Sequence, residues 1–574
     1  MKKVFISMAV AAGLLLSSCS LDFFPSDELN SDVLLKDESG AEYIMDGCYA
    51  LLKDQVEYIS YASGNAYVRH YTQMAEFPAD NINLSSKTED PLYEATAYMM
   101  TDNLKNVGTV WMLAYKVIYM SNTVIESLGS KSDLADTQLL GEAYYMRALM
   151  HLHMVTLYAK PYSQGMDNIG VPLMTSTASP TERASVGKVY ERIVSDLKQA
   201  STYMVKGKER GNAGYPSHDA ALGLLSRVYL YMGMNDEVVS TVNEMLNGAA
   251  PESKLDENIG TYFANAKTSV ETLFCIAHET TDDRGQASAG SMYNGDGGGW
   301  GEIYPSDPLL YLYERYPSDA RYTELIAPQK ANNADPAKLF VYFPDPETPD
   351  GGAQTGRTDL SFALTKSGEN YTFTADGQTY TVEKRTVQGE YSEYHVVYKG
   401  EDCLARVTEQ MSARNTFPKY FMKKFGYQDG SPTLSSPVFS RWGEVILNRA
   451  EAYAKLGQDQ KALDDVNVIR KRAGIPDAGM FSAANMHGYV DGLYKDANGN
   501  NISAVMAVVM DERRLELAFE GYRMFDVYRN NMSMDRRYPG AQPWQVVPPT
   551  YNHIQYPIPN AEWTVSGISQ NPGY

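Results

Sequence analysis

The chain has 574 residues, of which 44% are hydrophobic and 21% charged, so it can bury a substantial core and is long enough for several domains or one large fold. Its formal net charge is −21, and no run of Lys and Arg forms a basic patch, so nucleic acid is excluded as a predicted partner. The 43 tyrosines favour surfaces for polar ligands, although most of them are expected to pack between helices.

The N-terminus has the features of an export signal. A basic start is followed by 13 apolar residues, VFISMAVAAGLLL, which are too few to span a bilayer. This stretch runs into LSSC, residues 16–19, which resembles the bacterial lipobox. The resemblance implies cleavage after residue 18 and lipidation of Cys19; the alternative is a plain secretory signal with an incidental cysteine. We therefore predict a protein held at a membrane by its first mature residue.

The remaining cysteines, Cys48, Cys275 and Cys403, lie far apart in the sequence. Their odd number and wide spacing argue against a disulfide framework and against a zinc site. We expect buried free thiols. No cofactor and no metal site is predicted, and a calcium ion bound to a loop stays an open alternative.

Helical periodicity begins after a predicted tether at 19–35. Apolar residues recur at helical spacing in 41–51, 107–128, 139–162, 186–200 and 217–246, and Ser185 is a predicted N-cap.

Two segments, 217–246 and 444–476, each predict a pair of helices joined at a glycine, Gly233 and Gly457. This pattern is typical of tetratricopeptide-type helix pairs. Because the two copies are far apart, they predict a helical scaffold with insertions and not an open array of tandem repeats.

Between 261 and 435 Gly, Pro, Asp and Thr accumulate and helical periodicity fades. YTFTADGQTYTV, residues 371–382, predicts a β-hairpin that turns at Asp376-Gly377, and 393–400 predicts a further strand. We interpret this region as a loop-rich lobe with a small sheet, inserted into the scaffold.

A glycine-rich stretch in this lobe, GDGGGWGEIYPSD at 295–307, allows two interpretations. A phosphate cradle would need a P-loop or G-x-G-x-x-G spacing before a helix, and the stretch has neither. The alternative is an aromatic platform, in which the glycines let the backbone turn and present Trp300 and Tyr304 to a sugar ring. We favour the platform; the competing possibility is that Trp300 packs its own loop against the scaffold.

Carboxylates recur on one helical face at Glu512, Glu516 and Glu520, with Arg513 and Arg523 nearby. A glycosidase needs two carboxylates facing a sugar, but carboxylates at this spacing beside arginines are more often ion pairs that join helices. We favour the structural interpretation. No nucleophile or metalloprotease motif is present, so no enzymatic activity and no catalytic residue are predicted.

Several of these stretches together resemble the SusD/RagB family, surface lipoproteins of glycan-utilisation systems in Bacteroidota. The matching stretches are 40–52, 141–173, 441–457, 512–529 and 556–574, which lie in the family's order along nearly the whole chain. The resemblance implies a mainly α fold, in which tetratricopeptide-like helix pairs form a scaffold with an inserted loop-rich lobe containing a small β-sheet.

The resemblance also implies a function. A member of this family would be a non-enzymatic protein that is lipid-anchored on the outer membrane and exposed at the cell surface. It would capture an oligosaccharide and pass it to a SusC-like TonB-dependent transporter. Peptide binding, which occurs in some relatives, is the alternative, and a glycosidase is a more distant one.

The predicted organisation has six parts. They are a signal peptide at 1–18, the lipidated tether at 19–35, an N-terminal helical scaffold at 36–260, the loop-rich and β insert at 261–435, C-terminal tetratricopeptide-like helices at 436–530, and a C-terminal segment at 531–574 that packs on the scaffold.

The resemblance also points to the segments that would contact sugar, namely the one before the helix containing Trp111 and the mid-chain loops. Trp111 itself is expected to pack in the core. The candidate glycan-binding residues in those segments are Trp300, Tyr304, Tyr293, Tyr67, Arg69, Asp80, Asn81 and Tyr98. For Asp80 and Asn81 a structural role is an equal alternative.

Overall fold

The structure is a computed structural model that describes residues 39–54, 56, 66–85, 92–129, 134–207, 210–347, 358–368, 370–388 and 391–574. The predicted signal peptide, Cys19 and the tether at 19–35 lie outside the described residues.

The α-helices are the main elements of the described chain. They are α1 (Gly40–Lys53), α2 (Tyr67–Glu76), α3 (Leu92–Ala97), α4 (Lys105–Leu128), α5 (Leu134–Tyr158), α6 (Val186–Tyr203), α7 (His218–Met232), α8 (Asn235–Leu246), α9 (Ile259–Tyr262), α10 (Asp307–Glu314), α11 (Ala320–Thr323), α12 (Trp442–Lys455), α13 (Asp459–Arg472), α14 (Ala504–Leu517), α15 (Arg523–Arg529) and α16 (Asn560–Ser566).

The two predicted helix pairs are confirmed as α7–α8 and α12–α13. In each pair the first helix ends at a glycine in the left-handed conformation, Gly233 (φ 75°) or Gly457 (φ 69°). The next N–H then donates to a tyrosine carbonyl five residues back, Tyr229 or Tyr453, at 2.9 Å in both cases. The predicted N-cap is also confirmed, since the Ser185 side chain accepts from the Lys188 N–H at the start of α6.

The strands are short outside one lobe. They are β1 (Ile82–Leu84), β2 (Ile169–Pro172), β3 (Arg183–Ser185), β4 (Thr272–Cys275), β5 (Ile303–Pro305), β6 (Ile326–Pro328), β7 (Leu339–Pro344), β8 (Asp359–Ala363), β9 (Thr365–Ser367), β10 (Asn370–Ala375), β11 (Gln378–Gln388), β12 (Tyr391–Tyr398), β13 (Glu401–Glu409), β14 (Ala413–Arg414), β15 (Phe417–Pro418), β16 (Tyr420–Met422), β17 (Val438–Arg441), β18 (Met534–Asp535) and β19 (Val546–Val547).

Seven of these strands form an antiparallel sheet in the order β8-β7-β13-β12-β11-β10-β9. The predicted hairpin is confirmed as β10–β11, with Asp376 (φ 50°) and Gly377 (φ 75°) in the turn. Phe362 of β8 stacks on Phe373 of β10 with 4.6 Å between ring centroids, although the two strands are not neighbours in the sheet. The sheet therefore curls around a small core of its own, separate from the main helical core.

Buried ion pairs join the helices of the scaffold, as predicted for the carboxylates of 511–520. Glu516 of α14 accepts from Arg441 at 2.6 Å and from Arg321 at 3.1 Å, and all three side chains are at most 1% exposed. Glu512 binds Arg321 and Arg470. Glu520 was predicted on the same helical face, but α14 ends at Leu517, and Glu520 binds Arg441 from the turn that follows. These carboxylates stabilise the packing of α14 and do not face a cleft where a sugar could enter.

The structure corrects one cysteine prediction. Cys48 and Cys275 are buried free thiols as expected, and burial raises the pKa of each to about 12. Cys403 is also free but only half-buried, because it lies in β13 at the partly solvated sheet. Across the described residues, no helix has the length and apolar character needed to cross a bilayer.

Candidate functional site

The glycine loop, residues 295–301, leads directly into β5, which is fixed to the scaffold. Strand β5 pairs antiparallel with β1, so that Tyr304 lies opposite Asn83. Just beyond it, the Ser306 hydroxyl donates to the Asp80 carbonyl at 2.6 Å. The fold thus brings together two of the segments from which sequence reasoning drew its candidates, the 76–84 region and the 300–306 region.

Backbone hydrogen bonds hold the loop in one conformation. The Gly301 N–H donates to the Ser291 carbonyl at 3.0 Å, and the Glu302 N–H donates to the Met292 carbonyl at 2.8 Å. From outside the loop, the Gln286 amide donates to the Gly298 carbonyl at 3.1 Å. A loop fixed in this way presents its side chains at defined positions.

The two glycines that flank Trp300 are both required by the geometry. A Cβ on Gly299 would lie 2.0 Å from the Asn294 carbonyl oxygen, which no side chain could occupy. Gly301 has φ 53°, in the left-handed region, and a Cβ there would lie 2.9 Å from the Gly295 nitrogen.

Trp300 is 48% exposed at the tip of this loop. About half of its side-chain surface is therefore open to solvent. An indole held at a defined position by a fixed backbone offers a flat apolar face on which a ligand ring can stack.

Two polar pairs lie on either side of Trp300 in the chain. On one side, the Tyr427 hydroxyl donates to the Asp296 carboxylate at 2.6 Å. Burial raises the pKa of Tyr427, and its bond to Asp296 acts in the same direction, so the hydroxyl stays protonated as a donor. On the other side, Glu302 forms an ion pair with Arg414. Carboxylate, phenol and guanidinium groups are the partners that sugar hydroxyls use.

The half-buried Asp283 binds two hydroxyls of the segment 427–433, which also contains Tyr427. Asp283 accepts from the Ser431 hydroxyl at 2.6 Å and from the Thr433 hydroxyl at 2.8 Å. Burial alone would raise the pKa of Asp283, but these hydrogen bonds outweigh it and lower that pKa. The segment 427–433 is therefore held beside the glycine loop.

Seven of the eight candidate glycan-binding residues lie in the interior. Their exposed fractions are 9% for Arg69, 6% for Asp80, 1% for Tyr98 and 0% for Tyr67, Asn81, Tyr293 and Tyr304. In this structure they offer no open side-chain face to a sugar.

The buried tyrosines have partners that explain their positions. The Tyr98 hydroxyl lies 2.6 Å from both the Pro78 carbonyl and the Tyr528 hydroxyl, and the Tyr67 hydroxyl lies 2.8 Å from His153 Nδ1. The Tyr293 ring packs on Phe425 and Phe519, each with centroids 5.8 Å apart. The Tyr293 hydroxyl has no hydrogen-bond partner among the described residues, so ring packing holds that side chain in the interior.

Asp80 and Asn81 take the structural role that was the equal alternative. Arg523 Nε donates to Asp80 at 2.8 Å, and Arg514 Nε donates to the Asn81 side chain at 2.9 Å. Burial acts to raise the pKa of Asp80, but Arg514 and Arg523 outweigh it and hold that pKa well below its usual range. The two residues attach the 76–81 segment to α14 and α15.

Sequence reasoning missed four residues around Trp300, namely Asp296, Glu302, Arg414 and Tyr427. Asp296 and Glu302 lie inside the glycine-rich stretch itself, so their neighbourhood was visible in the sequence. Arg414 and Tyr427 lie more than 100 residues away, each beside a tight turn, and only the folded chain brings them to the loop. Within the described chain, no group of three or more His, Cys, Asp or Glu is arranged to hold a metal ion.

Comparison with known families settles the wider assignment. Residues 271–574, more than half of the chain, match the family model described as SusD family. The chain belongs to the SusD family. The predicted SusD/RagB resemblance is therefore confirmed. A second match covers residues 23–230 and is to a family described as starch-binding and associating with the outer membrane.

Individual SusD-like proteins resemble the chain over almost its whole length. The SusD-like proteins P38 and P2 of Formosa agariphila are each 22% identical to it, over 93% and 100% of this chain and 92% and 100% of their own. A SusD superfamily protein from Bacteroides thetaiotaomicron has a TM-score of 0.65 at 21% identity, covering 94% of this chain and 99% of its own. A SusD-like carbohydrate binding protein from Bacteroides vulgatus has a TM-score of 0.63 at 16% identity, covering 92% and 96%. At these identities the solved structures support the fold, a helical scaffold with an inserted sheet lobe.

Proposed function

We propose that this protein is a lipid-anchored, non-enzymatic glycan-binding protein on the outer-membrane surface. It captures oligosaccharides there and passes them to a SusC-like TonB-dependent transporter. The sugar-binding surface is the Trp300 surface, which we define as Trp300 with the two polar pairs Asp296–Tyr427 and Glu302–Arg414.

The exposure of Trp300 is the observation that carries this proposal. A sugar ring presents a C–H face that stacks on an indole, and its hydroxyls need both donors and acceptors around that face. The Trp300 surface has the ring, and the flanking pairs supply carboxylates, a phenol and a guanidinium. Phosphate ligands are disfavoured by the same carboxylates and by the net charge of −21.

Family membership supports the same ligand class. One matching family is described as starch-binding, and a structural neighbour is named a carbohydrate binding protein. The association with the outer membrane in that family description agrees with the lipobox-like LSSC at residues 16–19. The transporter partnership is the part of the proposal that rests on the family resemblance alone.

Calorimetric titration with a panel of neutral oligosaccharides tests sugar binding. Trp300→Ala should weaken binding of the recognised sugar by about tenfold or more, because the stacking face is lost. Trp563→Ala is the matched control, since Trp563 is also exposed, at 37%, but lies on α16 and donates to Asp102 at 2.8 Å. The control should bind like the unaltered protein.

The same titrations give the result that would overturn the site. If Trp300→Ala binds every sugar as tightly as the unaltered protein does, the Trp300 surface is not the binding site. Thermal unfolding of both variants shows whether the fold is retained. We expect little change in melting temperature, because both indoles are partly in solvent.

Fractionation of cells tests the anchor and the transporter. The unaltered protein should be found in the outer membrane, be cleaved by protease added to intact cells, and co-purify with a TonB-dependent barrel after mild detergent extraction. Cys19→Ala removes the acceptor of the lipid and should release the protein into soluble fractions. Membrane retention by that variant would contradict lipidation at Cys19, and purification without any barrel would contradict the partnership.

A further inference from the structure

A second concave site lies between the curled sheet and the scaffold, and no residue of the Trp300 surface lines it. It is a cleft with a volume of about 420 Å³, which is within the range of small-molecule sites, about 300–1,000 Å³. We call it the interlobe cleft. Its lining includes Tyr311, Tyr322, Tyr394, Tyr420, Glu314 and Arg406.

The walls of the interlobe cleft come from both bodies of the fold. Helix α10 supplies Tyr311, whose hydroxyl donates to the Leu404 carbonyl of β13 at 3.2 Å. Helix α11 supplies Tyr322, whose hydroxyl donates to Glu314 at 3.1 Å. These bonds fix the tyrosine positions, so the cleft is formed before any ligand arrives.

Arg406 of β13 has an incomplete set of hydrogen bonds in this cleft. It is only 6% exposed; its Nε donates to Glu314 at 2.8 Å and its Nη1 donates to Asp307 at 3.3 Å. Its Nη2 has no hydrogen-bond partner among the described residues. This nitrogen is buried from solvent, and the buried carboxyl of Asp359, whose Oδ1 also has no partner among the described residues, interacts electrostatically with Arg406. The cleft is therefore lined by a guanidinium that is held in place from below.

The chemistry around Arg406 suits a ligand that is both apolar and rich in hydroxyls. The guanidinium lies over the Tyr311 ring at 4.9 Å and over the Tyr420 ring at 5.6 Å, so aromatic surface and donors occupy the same wall. The lining includes three cationic side chains, Arg315, Lys384 and Arg406, and two anionic ones, Glu314 and Glu393. Hydroxyls both donate and accept, whereas a charged ligand would require an excess of one sign.

We propose that the interlobe cleft is a second binding site for a neutral oligosaccharide, separate from the Trp300 surface. This ligand class rests on the proposed function, because the sugar units that bind in the cleft would belong to the glycan captured at the Trp300 surface. In the cleft a sugar ring stacks on the tyrosines, and its hydroxyls bond to the charged lining side chains Arg315, Lys384 and Glu393. A chain with two such sites holds a long glycan at two points, which raises its effective affinity.

Titration of blocked variants with the same panel of neutral oligosaccharides tests this site. Thr408→Trp places an indole at the cleft from β13, where Thr408 is a half-buried lining residue. Ser392→Trp blocks it independently from β12. Thr381→Trp is the matched control, because Thr381 is exposed on the neighbouring strand β11 and is not among the residues that line the cleft.

The expected result is a binding event that survives Trp300→Ala and is weakened at least about tenfold when either block is added, while Thr381→Trp leaves it unchanged. Circular dichroism and thermal unfolding confirm that each variant is folded, and the two independent blocks guard against misfolding of one.

The outcomes separate this proposal from the proposed function. If Trp300→Ala removes all binding and both blocked variants bind like the unaltered protein, the interlobe cleft is overturned and the Trp300 surface stands. If the blocks remove binding and Trp300→Ala does not, the cleft stands and the Trp300 surface falls. If the folded, unaltered protein binds no sugar of the panel, both are overturned.

Discussion

Asp80 is a residue whose surroundings decide what it does. Its carboxylate lies between Arg514 and Arg523, and it is 6% exposed, so its charge is satisfied inside the protein. Trp300 is the opposite case, because its neighbours in the chain are glycines and it is 48% exposed. A polar or aromatic side chain can therefore contact a ligand only where the fold leaves it exposed.

Asp80→Asn should therefore destabilise the protein and should not act through the ligand. It leaves Arg523 without its carboxylate partner and Arg514 with only Asn81 and the Asp80 carbonyl. Breaking a buried pair in this way costs about 3–5 kcal/mol in the free energy of unfolding. Urea unfolding measures this loss. Asp535→Asn is the control, because Asp535 pairs with Arg537 with both side chains 52% exposed, and removal of such a pair costs at most about 1 kcal/mol.

The contrary outcome for Asp80 is equally clear. If Asp80→Asn unfolds at the same urea concentration as the unaltered protein but loses sugar binding, Asp80 contacts the ligand and our structural assignment is wrong.

The glycine loop works as one element because its backbone is held at several points at once. Its N–H and carbonyl groups are bound to Ser291, Met292 and Gln286, and the loop continues without interruption into β5. The position of the Trp300 indole is therefore a property of the whole element. A change in the backbone beside Trp300 should alter both the free energy of unfolding and the affinity for sugar.

Gly301→Ala tests this dependence. It forces a side chain into φ 53° and puts its Cβ 2.8 Å from Phe421 Cε1, so we expect a loss of about 1–3 kcal/mol in the free energy of unfolding and weaker sugar binding. Gly285→Ala is a close control, because Gly285 has the same φ of 53° but no atom within 4 Å of its added Cβ. Urea unfolding and sugar titration of both variants separate the two effects. Gly285→Ala shows the cost of backbone strain alone, and Gly301→Ala shows strain together with crowding. Equal losses would contradict a role for crowding at Gly301.

The whole molecule combines a net charge of −21 with an interior that contains many ion pairs. Burial acts to raise the pKa of the carboxyls in these pairs, but neighbouring arginines outweigh it. The pKa values that are lowered in this way include those of Glu451, Glu516, Glu520 and Asp526. Ionised carboxylates therefore stabilise the folded scaffold.

The pH dependence follows from the sign of these shifts. A carboxyl with a lowered pKa in the folded protein contributes stability that is complete above its ordinary value, 4.5 for Glu and 3.8 for Asp, and is lost as the pH falls below it. The melting temperature should thus fall steadily from about pH 5 to about pH 3. Glu76 acts in the opposite direction, because burial raises its pKa to about 7 despite hydrogen bonds that lower it.

Glu516→Gln tests whether the ion pairs of Glu516 contribute to the loss of stability at low pH. The variant should be less stable near neutral pH and should lose less stability than the unaltered protein on acidification, since one of the titrating groups is gone. An unchanged slope of melting temperature against pH would show that the Glu516 cluster does not carry the acid sensitivity.

Local patterns were sufficient for much of this architecture. The paired helices at Gly233 and Gly457, the N-cap at Ser185 and the hairpin turn at Asp376-Gly377 depend on residues close together in the chain, and all were predicted. The candidate site was predicted less well. Only Trp300, among glycines that offer it no packing, had a local reason to be exposed.

The sequence by itself determined the helical scaffold, the position of the inserted sheet and the membership of the SusD family. Tertiary structure alone decided which tyrosines are surface and which are core. Tyr98 is buried against Tyr528, and Tyr293 against Phe519, over separations of hundreds of residues. The exposure of a side chain depends on all the contacts that the fold makes with it. Contacts between residues far apart in the chain cannot be recognised from the local sequence around either one. For the same reason, the interlobe cleft exists only where the curled sheet meets α10.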